Sequence, residues 1–273
     1  MLIDTHCHLD AAEFGNTQAD IMRDAIAAGV NRLVIPSVAR SNFDKVRELC
    51  GQYPNCSPAY GIHPMYTDDA IPGDLDVLRN FLKQHQAVAV GEIGLDFFIQ
   101  HYDQVRQEHF FVEQLKLARD FDLPVLLHIR RAQDTILKHL RHFYPRVGPS
   151  TSLRTGIAHA FNGSRQQADE FIKLGFKLGF GGAMTHSRAT RLRELAATLP
   201  LDSIVLETDA PDIPPDFLEH GQPNEPKYLP RIAQTLAELR GMSLEEVAQA
   251  TTMNALNVLP QLADFSSPSS RSS

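Results

Sequence analysis

The sequence predicts a (β/α)8 TIM barrel, an α/β fold of one domain, on three observations. Eight short apolar runs rich in β-branched residues alternate with amphipathic stretches almost to the end of the 273-residue chain. Several runs are apolar throughout, as at Val125–Leu127 and Ile204–Leu206, which is how strands buried on both faces of a parallel sheet read. No run is followed by Gly-x-Gly-x-x-Gly, the mark of a doubly wound alternative, and eight βα units in this length match the barrel.

The elements follow in order. The run 2–5 precedes a helix over 17–28, where Ile21, Ala25 and Ala28 recur at helical spacing and Gly29 stops the helix. Runs 32–38, 57–62 and 87–93 come next. A helix over 102–121 carries Val105, Val112, Leu115 and Ala118 on one face and ends before Pro124. The run 124–129 leads to the run 155–161, and a helix over 165–174 stops at Gly175. The run 176–182 is followed by a helix over 188–199 that stops at Pro200, and the run 203–208 completes the eight. Right-handed parallel crossovers join such units most simply. Beyond them, 212–226 is rich in Pro, Gly and Asp and reads as a long loop. A helix over 228–239 follows, and Ser243 with Glu246 has capping-box spacing that opens another short helix. Residues 1–260 are expected to form the single barrel domain, and 261–273, closing on a Ser-rich segment, a disordered tail.

Composition narrows the function classes. With 26 basic and 33 acidic residues the formal charge is −7, which argues against a protein that coats nucleic acid. A hydrophobic content of 43% excludes wholesale disorder. No apolar run reaches the roughly 18 residues of a membrane span, and the start lacks a basic-then-apolar secretory signal. Three cysteines at no repeating interval exclude a disulfide framework and point to a reducing cytoplasm.

Polar residues gather where the runs end. His6 and His8 close the first, and period-two alternation puts both imidazoles on one side and Cys7 on the other. His63, Glu92, His128, His159 and Asp209 close the third, fourth, fifth, sixth and eighth. In a barrel these converge on the C-terminal mouth, where barrel enzymes keep their chemistry. Each has an ordinary structural reading alone, but a core has no need of so many polar groups at strand ends. Four imidazoles (His6, His8, His128, His159) with two carboxylates (Glu92, Asp209) suit divalent ions. They exceed one tetrahedral site with an open position, so two ions about 3.5–4 Å apart, sharing a carboxylate, are expected. The remaining histidines read as solvated or structural, and Cys7 as packing.

These segments resemble the TatD family of metal-dependent deoxyribonucleases, among the amidohydrolase-like barrels. The resemblance runs through 3–10, 61–64, 90–96, 124–130, 159–164, 206–211, 224–226 and 247–255. Arg130–Arg131, 179–182 and 209–214 look most like the family's YjjV-type branch. It implies that His6, His8, Glu92 and Asp209 hold one ion, that Glu92, His128 and His159 hold the other, and that Glu92 bridges. It implies no carbamylated lysine. It also implies cleavage of DNA phosphodiesters, often 3′-to-5′ on single strands, typically with Mg2+, while the donor types themselves suit Zn2+ or Mn2+. Asn162–Gly163 and Ala210–Pro211 depart from the usual Ser-Gly and Ser-Pro, near the cleft and away from the ligands.

The expected mechanism is metal-assisted hydrolysis with Asp209 as general base and His63 donating to the leaving oxygen or holding a phosphate. Arg130 is the candidate phosphate contact, with a solvated loop charge as its alternative. Phe97, Phe98 and Tyr102 either stack on unpaired bases or pack within their loop. Asp96 and Glu207 are candidates to orient ligands. DNA is the expected partner, with no membrane and no obligate protein partner. The competing readings are a hydrolase of the same barrel acting on a small phosphoester, ester or amide, and a non-catalytic metal-stabilised scaffold.

Overall fold

The computed structural model describes residues 1–143 and 155–266. Eight strands follow the chain order, each paired in parallel with the next: β1 Leu2–Asp4, β2 Val30–Pro36, β3 Cys56–Tyr60, β4 Ala89–Asp96, β5 Val125–Arg130, β6 Gly156–Ala158, β7 Lys177–Phe180 and β8 Ile204–Leu206. The Thr5 N–H donates to Leu206 O across 3.1 Å, and Cys7 bridges to Ala210, so β8 curls back to β1 and the sheet forms a nearly closed barrel. The fold is the expected TIM barrel.

Helices α1 Gln18–Ala27, α2 Phe43–Gln52, α3 Gly73–Gln84, α4 Gln104–Asp120, α5 Gln133–Phe143, α6 Arg165–Lys173, α7 Thr190–Thr198, α8 Leu229–Arg240 and α9 Leu244–Val258 are those among the described residues. The second, third and fifth were not singled out from sequence. The last, expected to be short, has fifteen residues. The face of α4 also differs: Val105 is 80% exposed, while Gln107, Phe110, Phe111 and Gln114 are buried. The two glutamines turn inward because they satisfy loop backbone. Gln114 accepts from the Ile62 N–H and donates to Ile62 O, and Gln107 does the same for Asp96.

Alternate strand residues divide the core. Ile3, Val34, Ala59, Leu126, Ile157 and Val205 form a cluster with Val258, Leu259 and Leu262, which plugs one end of the barrel. Burying a leucine side chain contributes about 1.5–3 kcal/mol. A 3-10 turn over Pro260–Ser266 follows, and Leu262 within it is part of that plug. The rest of the expected tail, 267–273, lies outside the described residues. The other buried cluster joins the sheet to the helices. No helix among the described residues is long and apolar enough to cross a membrane.

β4 is longer than expected, and Glu92 lies within it. Val90 pairs with Val125 and Ile93 with Leu127, so β4 carries one residue more than β5 over this stretch. Such a bulge bends the strand and re-aims a side chain. Gly91 permits it, since a Cβ there would lie 2.7 Å from Leu126 O at a φ of +153°.

Candidate metal centre

Past β1 the chain stays pinned to the wall by its odd residue. Cys7 N–H donates to Val34 O (3.0 Å), and its side chain is fully buried. His6 and His8 consequently turn to the same side, with their Nε2 atoms 3.3 Å apart. Burial drives the Cys7 thiol far above its ordinary pKa, so it acts by packing.

The bulge aims the Glu92 carboxylate between two groups of imidazoles. Its Oε2 is 3.1 Å from His6 Nε2 and 3.5 Å from His8 Nε2. Its Oε1 is 2.8 Å from His128 Nδ1, 3.4 Å from His63 Nε2 and 4.0 Å from His159 Nε2. Asp209 Oδ1 closes the ring at 3.7 Å from His6 and His8 and 3.4 Å from His159. All six candidate ligands and His63 are thus gathered at the C-terminal mouth. The resemblance groups His159 with Glu92 and His128, and in the structure its ring also stacks on His6 with centroids 3.5 Å apart. Sets of donors within 4.8 Å of one another are His6, His8 and Asp209; His6, Glu92 and His159; and His63, Glu92 and His128.

The outer partners decide which ring nitrogen faces inward. Asp96 Oδ2 is 3.0 Å from His128 Nε2, so it takes that N–H and leaves Nδ1 for the centre. Asp96 itself accepts from Phe98 N–H, which fixes its carboxylate. Glu207 Oε1 is 3.1 Å from His159 Nδ1, off the line of a straight hydrogen bond, and accepts from Ala160 N–H. His63 is wired the opposite way. Its Nδ1 accepts from Met65 N–H at 3.1 Å, so the neutral ring carries its proton on Nε2, the inward atom. A protonated nitrogen donates and does not ligate.

Charge within the cluster follows from burial and proximity. Burial opposes ionisation of Glu92, but His6, His63 and His128 outweigh it and hold the carboxyl well below its ordinary range. Asp209 is also lowered, against burial, by His159, His6 and His8. Burial works against a charged His8, yet Glu92 and Asp209 raise it to about 9. His159 is raised for the same kind of reason by Glu207 and Asp209. Burial, only partly offset by Glu92, lowers His63 to about 4. Protons on His8 and His159 therefore balance the carboxylates, and a divalent cation competes for the same lone pairs. Imidazole and carboxylate donors converging in a buried mouth fit such a cation.

Two contributors, Asn224 and Asp4, lie in segments that carry the resemblance, but the sequence alone assigns them no role. Asn224 is fully buried, and its Nδ2 donates to Thr208 O (2.8 Å), Asp212 O and Ile213 O (3.2 Å each), clamping the loop that carries Asp209. Asp4 accepts from Thr208 N–H and from its hydroxyl, tying β1 to the strand end before Asp209. Arg130 lies 3.8 Å above the Phe98 ring and Arg131 4.5 Å. Phe98 is thus flanked by guanidinium groups, and Phe97 stacks with Tyr102 at 5.0 Å within their own loop.

A family model described as TatD related DNase matches residues 3–260. The chain is 42% identical over 255 residues to the uncharacterized metal-dependent hydrolase YjjV of Escherichia coli (strain K12), covering 92% of this chain and 95% of that one. It is 31% identical to the 3′-5′ ssDNA/RNA exonuclease TatD of Erwinia tasmaniensis, over 93% of this chain and 98% of that one. The crystal structure of E. coli YjjV, a TatD homologue, superposes with a TM-score of 0.88 at 40% identity, covering 95% of this chain and 98% of that one.

Proposed function

The chain belongs to the family of TatD-related DNases and is a metal-dependent hydrolase, and from that premise we propose that it cleaves phosphodiesters of single-stranded DNA from the 3′ end. The observation that carries the proposal is the Glu92 carboxylate, which presents one oxygen to His6 and His8 and the other to His128 and His159. This is how a carboxylate shared by two divalent cations would stand, and Mg2+, Zn2+ and Mn2+ all accept such donors. His6, His8 and Asp209 would hold one cation and His128 the other. His159, facing both Asp209 and Glu92, would complete the second set.

Bound cations would supply an activated water near neutral pH and polarise the phosphoryl group. The protein residues do the rest. Asp209 turns Oδ1 to the imidazoles, so Oδ2 is the oxygen placed to take the proton of the attacking water. His63 offers Nε2–H to the leaving oxygen as a hydrogen-bond donor. Arg130, two residues beyond His128 on β5, pairs with a phosphate oxygen. The cleft over the cluster has a volume of about 1270 Å3 and includes Tyr66 and Phe98 in its walls, which gives unpaired bases room and aromatic surface. The three free cysteines fit a cytoplasmic setting.

One observation favours a smaller substrate: Asp10, Glu13 and Asp212 also line the cleft and repel a polyanion. The deciding experiment measures nucleotide release from 3′- and 5′-labelled single-stranded DNA with Mg2+ or Mn2+. Release from the 3′ end is expected. Turnover of a small phosphoester, with no DNA product at stoichiometric enzyme, would refute the nuclease reading.

A further inference from the structure

The strands follow chain order round the barrel, so the rim of the cleft can be read sector by sector. Asp10, Glu13 and Asp212 lie after β1 and β8, whereas Arg130 ends β5, Arg131 follows it and Arg191 lies on α7. Charge is therefore split across the mouth, with anions on one side and cations on the other. Among the described residues several surface arginines pair with carboxylates: Arg23 with Asp20, Arg47 with Asp44, Arg141 with Glu170 and Arg165 with Asp169. No carboxylate pairs with Arg191 among the described residues. Its Nη2 instead donates to the side-chain oxygen of Asn162 at 3.0 Å and to Asn162 O at 3.5 Å.

That anchor is built by the turn after β6. A Cβ at Gly163 would lie 2.6 Å from the Phe161 ring and 3.0 Å from Gln167 Oε1, so the chain turns tightly there and places Asn162 on the rim. Asn162 is three positions beyond His159, and both it and Arg191 line the cleft that holds the cluster. The guanidinium shares that cleft and is not among the donor sets of the centre. A rim cation with no counter-charge, positioned by an uncharged amide, keeps its attraction for an anion, which a paired arginine does not.

We propose that Arg191, held by Asn162, binds a phosphate of the substrate strand remote from the scissile bond. Single-stranded oligonucleotides are then preferred over short phosphodiesters, and their backbone runs along the β5–β7 side of the mouth. This rests on the phosphodiesterase reading above.

The test compares wild type, Arg191→Ala and Arg191→Lys, all metal-loaded, on a single-stranded DNA octamer and on bis(p-nitrophenyl) phosphate. In Arg191→Ala the ratio of octamer to small-diester kcat/KM is expected to fall about tenfold, mostly through the octamer KM. The slope of log KM against log salt on the octamer should shrink by about 0.7, the share of one single-strand phosphate contact. Arg191→Lys keeps the charge without the fork and should restore that slope. An unchanged ratio and slope in Arg191→Ala, with wild type cleaving the octamer, overturns the role of Arg191 and leaves the proposed function standing. If wild type cleaves the small diester but not the octamer, the nuclease reading falls, and this inference with it.

Discussion

Asp4 to Asn isolates the one carboxyl group whose environment opposes its charge most plainly. Asp4 is fully buried. Burial raises its pKa from 3.8 to about 7, against hydrogen bonds from Thr208 and His6 that favour the anion. Below pH 4 the group is protonated in both the folded and the unfolded chain, and it adds no pH dependence. Between pH 4 and 7 the unfolded chain releases the proton while the folded chain keeps it, so stability falls as pH rises. At about 1.4 kcal/mol for each pH unit, the loss reaches about 4 kcal/mol by pH 7 and then levels off. Asparagine can still accept from Thr208 N–H and can donate to the Thr208 hydroxyl, with no proton to lose. The stability of Asp4→Asn relative to wild type should therefore rise by about 4 kcal/mol between pH 4 and 7.5. Urea unfolding of chelator-treated protein measures it, because bound metal would add its own pH dependence. Curves for the two proteins that stay parallel across this range would show that Asp4 is ionised in the fold and would refute the reasoning.

The other predictions concern the centre. Asp209→Asn should abolish turnover while leaving circular dichroism unchanged, and wild-type activity in that variant would remove Asp209 as the base. His63→Ala should lower kcat by about 100-fold, the usual cost of removing one hydrogen-bond donor to developing charge, with metal content per chain unaltered; a lost ion would make His63 a ligand. Gly179→Ala puts a Cβ against the Glu207 carboxylate and should weaken metal binding by about 10- to 100-fold, as outer partners of ligating histidines commonly do. Glu207→Gln should act in the same direction, as read by metal titration. Metal affinity should also rise with pH from 6 to 8, since His8, raised to about 9, must give up its proton to ligate. Calorimetry in two buffers of different ionisation heat would reveal that release, and a pH-independent affinity would count against it.

What could be read from the sequence was governed by how far each feature acts. Alone, a strand-end histidine has an ordinary structural reading, so His128 and His159 were legible as members of a set that recurs at strand ends. The barrel was legible because alternation of strand and helix repeats along the whole chain. The position of Glu92 within its strand was not, since a bulge depends on pairing with β5, and only Gly91 hints at it. Asn224 falls in a segment that carries the resemblance, but its role was not legible, because it acts from a distant loop on three backbone carbonyls. Gln107 and Gln114 hid the true face of α4, as buried amides that serve loop backbone look like surface residues in a helical pattern.

The same long-range contacts explain how the mouth tolerates its backbone. Arg131, Ala160, Asp209 and Ile213 have φ of 57°, 43°, 59° and 45°, a left-handed region that costs a non-glycine residue about 1–3 kcal/mol. All four lie just past the ends of β5, β6 and β8, beside the candidate ligands or among them. The stretches at Ala160, Asp209 and Ile213 are held by groups that cannot reach water: Ala160 N–H by Glu207, the carbonyls around Asp209 and Ile213 by Asn224, and Thr208 by Asp4. Releasing the strain would leave those buried polar groups without partners, at a comparable cost of about 1–3 kcal/mol each. The two penalties oppose one another, and the loops stay where the imidazoles and carboxylates converge. The polar network behind the centre, more than the apolar barrel wall, thus sets the positions of Asp209 and His159, and a metal held there would not first have to reorganise the loops.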